Sequence, residues 1–398
     1  MREAVIIDAV RTPVGKFGGA LKDVRADDLA ALCIAELVRR NSLDPALIED
    51  VLLGCTNQAG EDNRNVGRMA ALLAGLPYSV AGQTINRLCG SGLNAVNSAA
   101  QAIKAGEGDI FIAGGVESMT RAPFVMAKSD SAFSRDIKVF DTVIGWRFTN
   151  PKMTEPYAKE SMGETAENVA VRYGLTRLEQ DEFAFETQKK WGAADAAGRF
   201  KEEIVPVSIP QKKGEPIIVV RDEFPRSDVT MEQLAKLPAA FKKDGTVTAG
   251  NSSGINDGAA AILLMEGETA RRFGYKPLVR VVAAAVAGCE PSYMGLGPIP
   301  AIRKALSRAG LKIEDIDLFE INEAFAAQSI QCISELGIDR GKVNVNGGSI
   351  AIGHPLGSTG ARITGTLVHE MKRRSSRYGL VSLCIGVGQG IATIFERV

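Results

Sequence analysis

Ile48-Glu49-Asp50-Val51-Leu52-Leu53 and Ile313-Glu314-Asp315-Ile316-Asp317-Leu318 are two versions of one phrase, each at a helix-to-strand junction. Asp315 lies 315 − 50 = 265 positions beyond Asp50, and the same displacement carries Cys89 onto His354 (354 − 89 = 265). Each of these two side chains stands beside a glycine-rich turn ahead of a helical pattern. A duplicated unit would bring both to equivalent helix ends, meeting about a pseudo-twofold axis.

Outward from Ile48, apolar runs at 4–7, 51–55 and 109–115 read as buried strands. Helical apolar spacing covers 26–41, 66–74 and a stretch running to Ala105. Strands alternating with helices through short loops predict an α/β fold, with a mostly parallel sheet covered on both faces. From about Arg121 to Gly250 the texture changes to Pro, Lys, Asp and isolated aromatics, with helical spacing over 165–190. That reads as an insertion, after which 259–265 resumes as a buried strand.

Composition excludes several classes of function. Lys+Arg and Asp+Glu both number 47, so no global basic field exists to attract nucleic acid or an anionic membrane. No apolar run approaches the ~18 residues that cross a bilayer, and the short run after Met1 is not a signal peptide. The six cysteines are widely spaced, without a Cys-x-x-Cys pair, as in a reducing cytoplasm. With only two histidines, a His-rich metal centre is excluded.

Four positions are candidates to carry chemistry. In Asn86-Arg87-Leu88-Cys89-Gly90-Ser91-Gly92 a thiol stands at or next to a helix N-terminus, where unpaired N–H groups and the helix dipole favour the thiolate. The competing reading of any free cysteine is a small buried hydrophobe, which suits Cys33, Cys55, Cys289 and Cys332. In Gly353-His354-Pro355 the flanking residues fix the backbone so that an imidazole can enter a cleft, whereas His369 reads as a helix-surface residue. Cys384 ends the strand before Gly386-Val387-Gly388-Gln389-Gly390. This is not a dinucleotide loop, since a strand and not a helix follows; its backbone N–H groups can instead approach a substrate oxygen. Asn322, in Glu320-Ile321-Asn322-Glu323-Ala324-Phe325, reads equally as a helix N-cap or as an amide that orients a water.

With these motifs in this order the chain resembles the thiolase family from end to end. The resemblance implies two related halves forming a five-layered α-β-α-β-α core: residues 1–120 plus 251–270, and residues 271–398. Residues 121–250 would form an inserted loop domain for coenzyme A binding and oligomerisation. It implies an acetyl-CoA C-acyltransferase that cleaves 3-oxoacyl-CoA to acetyl-CoA and a shortened acyl-CoA, or runs the reverse Claisen condensation to acetoacetyl-CoA. The implied setting is fatty acid β-oxidation and lipid metabolism. Coenzyme A would be a substrate, with no cofactor or metal, and the assembly a cytoplasmic homodimer or homotetramer without nucleic-acid or membrane partners.

Carried over residue by residue, Cys89 would accept the acyl group, His354 would activate it, and Cys384 would exchange a proton with the acetyl α-carbon. Asn322 through a water, with His354, would form one oxyanion hole; the N–H groups of Cys89 and Gly386 would form the other. Arg226 and Ser253 would hold coenzyme A, and Met162 would border the substrate. Two segments depart from the acetoacetyl-specific pattern. Ser161-Met162 stands where those members carry His-Met, and Val387 and Gln389 replace a glycine and a methionine in the last loop. Asp141-Thr142-Val143-Ile144-Gly145-Trp146-Arg147-Phe148 also resembles a segment of 3-oxoadipyl-CoA thiolases of aromatic degradation, the alternative substrate.

Overall fold

The computed structural model describes residues 2–153 and 159–398. Its first half contributes β1 (Ala4–Arg11), β2 (Gly15–Lys16), β3 (Asp50–Gly54), β4 (Ala81–Ile85) and β5 (Ile110–Ser118). Two short hairpins follow, β6 (Phe124–Met126) with β7 (Val139–Asp141), and β8 (Val207–Ile209) with β9 (Ile217–Val219). The core resumes with β10 (Asn256–Glu266), β11 (Val279–Gly288), β12 (Leu318–Ile321), β13 (Tyr378–Ile385) and β14 (Gln389–Arg397).

The large sheet runs β12-β13-β14-β11-β1-β10-β5-β3-β4, with β2 on β10. In the first half the order is β4-β3-β5-β10-β1, and in the second β12-β13-β14-β11. The repeat read from the two junction phrases is therefore a repeat of strand order. The halves join where Val5 and Ile6 of β1 face Arg280 and Val279 of β11. The counterpart of β4 has shrunk to one bridge between Phe319 and Val343.

The sheet is mixed, where the sequence predicts a mostly parallel one. β3 is parallel to β4 and β5, and β12 to β13, but β10 and β14 run antiparallel to both of their neighbours. A parallel return needs a crossover of a dozen or more residues. The turn from Ile385 to Gln389 is far too short, so β14 can only come back antiparallel.

Three apolar clusters separate the layers. The helices Ala26–Arg40 and Val66–Leu73 cover the outer face of the first half through Leu29, Ile34, Leu37 and Ala70. The helices Pro298–Ala309 and Ala326–Leu336 cover the second through Ile302, Leu306 and Ile333. Between the two halves of this sheet lie the helices Ser91–Ala105 and Leu356–Arg374, whose Leu93, Val96, Ile363 and Leu367 pack against Ile6, Ile262, Val381 and Leu383. These are the five layers implied by the family resemblance. Each fully buried aliphatic side chain there contributes roughly 1.5–3 kcal/mol, so the central layer holds the halves together.

The two central helices meet at their N-termini, and glycine permits it. A Cβ on Gly92 would lie 2.7 Å from the carbonyl oxygen of Gly357, and one on Gly357 would lie 2.7 Å from Gly54 oxygen. A Cβ on Gly360 would collide with the backbone nitrogen of Leu93.

Within the insertion, the helical spacing over 165–190 belongs to two helices, Met162–Tyr173 and Arg177–Ala196. Gly174 (φ +67°) ends the first in a left-handed cap, and Ser161/Glu164 and Thr176/Glu179 form a capping box on each. A second correction concerns His369, which is buried instead of lying on a helix surface. Its Nε2 is 2.9 Å from the carbonyl oxygen of Ala9 on β1, and Glu202 lies 3.7 Å from its Nδ1, so β1 and the segment before Glu203 cover it.

Candidate active site

Cys89 sits in a turn that its neighbours force. Leu88 has φ +45°, outside the usual range for a branched side chain, a strain of order 1–2 kcal/mol. Asn86 Oδ1 accepts from Leu88 N–H at 2.9 Å, and Ser91 Oγ accepts from Arg87 N–H at 2.8 Å and donates to Leu88 oxygen at 2.6 Å. The helix then starts at Ser91 with Gly90 as its cap and no capping side chain. Cys89 is half-buried, and burial pushes its thiol up to about 11. The N–H groups of Gly386 and of Cys89 itself bond to the sulfur and oppose that rise.

His354 occupies the twin turn, two residues before Leu356 opens the second central helix. Its N–H donates to Asn256 Oδ1 at 3.0 Å, and Asn256 Nδ2 donates to Gly15 oxygen at 3.0 Å, which fastens the turn to the first half. Gly353 makes this possible, with φ +112° and no room for a Cβ above the Asn256 amide. Glu117 adds a second tie, accepting from the N–H of Thr56, Asn57 and Gly357 at 2.8–3.1 Å. Burial, with the Arg362 charge behind it, pulls the His354 imidazole down to about 3, so it is neutral at pH 7.

Asn322 follows β12, and its N–H continues the ladder to Ser382 oxygen at 2.9 Å. Of its two sequence readings the N-cap fails: the helix begins at Ala326 with Phe325 at its cap. Residues 322–325 stay outside the helix, where Ser253 N–H donates to Ala324 oxygen and Ala326 N–H to Asn251 oxygen. The Asn322 amide is thereby free to face the histidine, with Nδ2 3.4 Å from His354 Nε2. Ser349 Oγ lies 2.6 Å from Asn322 Oδ1, and Arg362 Nη2 donates to Ser349 at 2.8 Å. Thr359 Oγ1 lies 2.7 Å from His354 Nδ1 and 2.9 Å from Pro355 oxygen.

Cys384 is buried at the end of β13 among Ala166, Val247, Met294, Ala324 and Phe325. Burial, with negative charge on Cys89 as the next cause, holds its thiol well above the usual range. The following Ile385 packs on Gly90, where a Cβ would lie 2.7 Å from Ile385 Cδ1. A Cβ on Gly386 would stand 3.3 Å from Leu88 Cδ1 and 3.4 Å from Met162 Sδ. Cys89, Cys384, Gly386 and Met162 thus come together, with His354 and Asn322 at the neighbouring helix end.

Arg226 stands apart from that group. It lines a surface cavity with Gln188, Asp228, Leu234, Gly250 and Ile350, its guanidinium 5.8 Å from the Phe224 ring centre. Ser253 is half-buried on the strand-like stretch beside Asn322. Sequence reasoning did not single out Asn256, Glu117, Ser349, Thr359 or Arg362. Three of them lie in the glycine-rich run around His354, but nothing in a sequence says which hydroxyl meets which ring nitrogen.

Two thiols and one neutral imidazole, with backbone donors aimed at sulfur, suit the transfer of an acyl group between sulfur and carbon. That is the work of an acyltransferase, and comparison with known proteins says which kind. The description "Thiolase, N-terminal domain" matches residues 4–268 and "Thiolase, C-terminal domain" matches residues 275–397. The chain belongs to the thiolase family. It is 57% identical, over all of both chains, to the 3-oxoadipyl-CoA/3-oxo-5,6-dehydrosuberyl-CoA thiolase of Escherichia coli (strain K12). It is 54% identical, again over all of both, to a beta-ketoadipyl-CoA thiolase of Acinetobacter baylyi. The crystal structure of the Bacillus anthracis acetyl-CoA acetyltransferase superposes with a TM-score of 0.94 at 44% identity, covering 100% of this chain and 99% of that one. Among the described residues, no helix is long and apolar enough to cross a membrane.

Proposed function

We propose that this thiolase cleaves 3-oxoadipyl-CoA with coenzyme A, giving succinyl-CoA and acetyl-CoA, in place of the fatty acid β-oxidation step that the family resemblance suggests. The observation that carries the chemistry is the meeting of the Cys89 and His354 turns at the ends of two touching helices. The substrate rests on full-length relatives at 54–57% identity that bear this activity in their names, and on the Asp141–Phe148 segment.

In the reaction His354 Nε2 takes the proton of Cys89, and the thiolate adds to the 3-oxo carbon. The C2–C3 bond breaks, leaving succinyl-Cys89 and the enolate of acetyl-CoA, which Cys384 protonates. Cys384 thiolate then takes the proton of incoming coenzyme A, whose sulfur attacks the acyl-cysteine. Collapse returns the thiolate to Cys89, and His354 gives its proton back. Asn322 and His354 stabilise the enolate oxygen, while Cys89 N–H and Gly386 N–H stabilise the tetrahedral one. Arg226 and Ser253 hold coenzyme A as a substrate, and Met162 borders the acyl group; no metal or cofactor takes part. The working form is a cytoplasmic homodimer or homotetramer.

The test is a panel of 3-oxoacyl-CoA thioesters assayed for kcat/KM. A preference for 3-oxoadipyl-CoA over acetoacetyl-CoA of about tenfold or more is expected, the selectivity one well-placed group supplies. Equal use of both, or a preference for long alkyl chains, would refute the substrate assignment.

A further inference from the structure

One hydrogen-bond line runs through the site: Arg362, Ser349, Asn322, His354, Thr359 and the Pro355 carbonyl. We propose that Arg362, Ser349 and Thr359 are positioning residues that impose a single direction on this line. His354 is thereby held with its proton on Nδ1 and a bare Nε2, and the Asn322 amide N–H is released to the substrate oxygen once Nε2 is protonated. Only that release rests on the acyl-transfer reading.

The direction follows from the two ends. A guanidinium only donates, so Ser349 Oγ accepts from Arg362 at 2.8 Å and its single proton goes to Asn322 Oδ1 at 2.6 Å. That sets the amide, leaving Nδ2–H toward His354 Nε2 at 3.4 Å. At the other end a carbonyl only accepts, so Thr359 spends its proton on Pro355 oxygen at 2.9 Å. Its lone pair therefore faces Nδ1, which must carry hydrogen to bond at 2.7 Å. A neutral imidazole has one N–H, so Nε2 is the basic nitrogen, and burial keeps the ring neutral.

Arg362 strengthens the arrangement because, among the described residues, no carboxylate lies within salt-bridge distance of it. It is buried, and its Nε and Nη1 have no hydrogen-bond partner among the described residues. The bond to Ser349 is therefore charge-assisted, and a line whose bonds all point one way polarises along its length. When Nε2 takes the Cys89 proton, two N–H groups oppose each other across 3.4 Å. With its oxygen still held by Ser349 the amide keeps its place, and its N–H, having lost the ring as acceptor, is free for the water that bridges to the developing enolate oxygen.

The chain's two histidines make the tautomer directly readable. His369 Nε2 faces the Ala9 carbonyl at 2.9 Å and carries a proton there, so an Nε2–H signal belongs to that ring. In protein labelled with 15N-histidine, two-bond 1H–15N correlations at pH 7 should show a neutral ring protonated on Nδ1, with that signal lost in His354→Asn. Thr359→Val should disturb that signal and lower kcat about 10–100-fold at nearly constant KM, the usual effect of removing such a supporting partner; Thr359→Ser should restore both. Ser349→Ala should keep the tautomer and lower kcat about two- to tenfold, as one lost hydrogen bond does. A His354 ring protonated on Nε2 or charged at pH 7 in the native protein overturns the proposal without any variant. An unchanged spectrum and kcat in Thr359→Val overturns it as well. A native Nδ1–H ring in a protein inactive on every 3-oxoacyl-CoA would uphold the tautomer assignment and defeat the functional reading alone.

Discussion

Cys89 and His354 hold the same place on two different helices, each two residues ahead of the first helical residue, Ser91 in one and Leu356 in the other. Because those helices cross at their N-terminal turns, both positive dipole ends lie beside one site. Negative charge that develops on a sulfur or an enolate oxygen there is stabilised from both halves. Neither half owns the site.

Replacing Cys89 by Ser should lower thiolysis by at least about a thousandfold, since the acyl group loses its covalent carrier. Mass spectrometry after mixing with acyl-CoA should show an adduct on the native protein and none on the variant. An adduct that persisted, on Cys384 for example, would reassign the nucleophile.

The empty site should not be an ion pair. With the thiol up to about 11 and the imidazole down to about 3, the proton rests on sulfur near neutrality. Alkylation of Cys89 by iodoacetamide should climb as pH rises toward the thiol's own range, with no inflection near 6.5. A rate already at its plateau at pH 6 would mean a preformed thiolate–imidazolium pair.

Much of this was legible in the residues, and the parts that were not have a common cause. The repeated phrase at Ile48 and Ile313, and the displacement linking Cys89 to His354, gave the two halves and their meeting point. The mixed sheet was not legible because strands β10 and β14 look, residue by residue, like any buried strand; only the connection preceding each sets its direction. The N-cap reading of Asn322 failed because Asn251 and Ser253, some seventy residues earlier in the chain, bond to 324–326 and the helix starts only at Ala326. His369 looked superficial because the residues that cover it, Ala9 and Glu202, are remote in sequence. Each miss is a tertiary contact that no local pattern encodes.

The close helix crossing predicts an unusual sensitivity to one methyl group. Gly360→Ala places a Cβ against Leu93 nitrogen, backbone that cannot swing aside. Overpacking of this kind costs about 1–3 kcal/mol, and here it also separates Cys89 from His354. Thermal denaturation should show a lower Tm, and activity should fall more than stability. Gly365→Ala on the same helix, where a Cβ would sit 3.4 Å from Ala9 Cβ, is the milder control.

Glu320 gives a stability change with pH of known sign. Burial, partly offset by Arg362, raises its carboxyl to about 8 from an ordinary 4.5. Between those values the folded protein holds a proton that the unfolded chain has lost, so this group makes stability fall as pH rises from about 4.5 to 8. Glu320→Gln should flatten that fall, with its largest gain in Tm above pH 8 and little gain near pH 5. Equal shifts at both would show that the carboxyl is ionised throughout.

Met162 should tune which acyl group fits. Its Sδ faces Gly386, next to the sulfur that would carry the acyl chain. Met162→Ala removes that wall, and kcat/KM should shift toward bulkier 3-oxoacyl chains by about tenfold relative to acetoacetyl-CoA. An unchanged ratio would place the acyl pocket elsewhere.

Strand β10 pairs with β1 on one side and β5 on the other, yet Asn256 emerges 256 − 118 = 138 residues after β5 ends at Ser118. At 5–20 residues per second, a ribosome needs on the order of ten seconds to deliver it. Throughout that interval the edges of β1 and β5 that β10 later pairs with present unpaired backbone to any passing strand. The first half of this enzyme is therefore born with a gap in its sheet, and its solubility during synthesis depends on what shields that gap until the missing strand arrives.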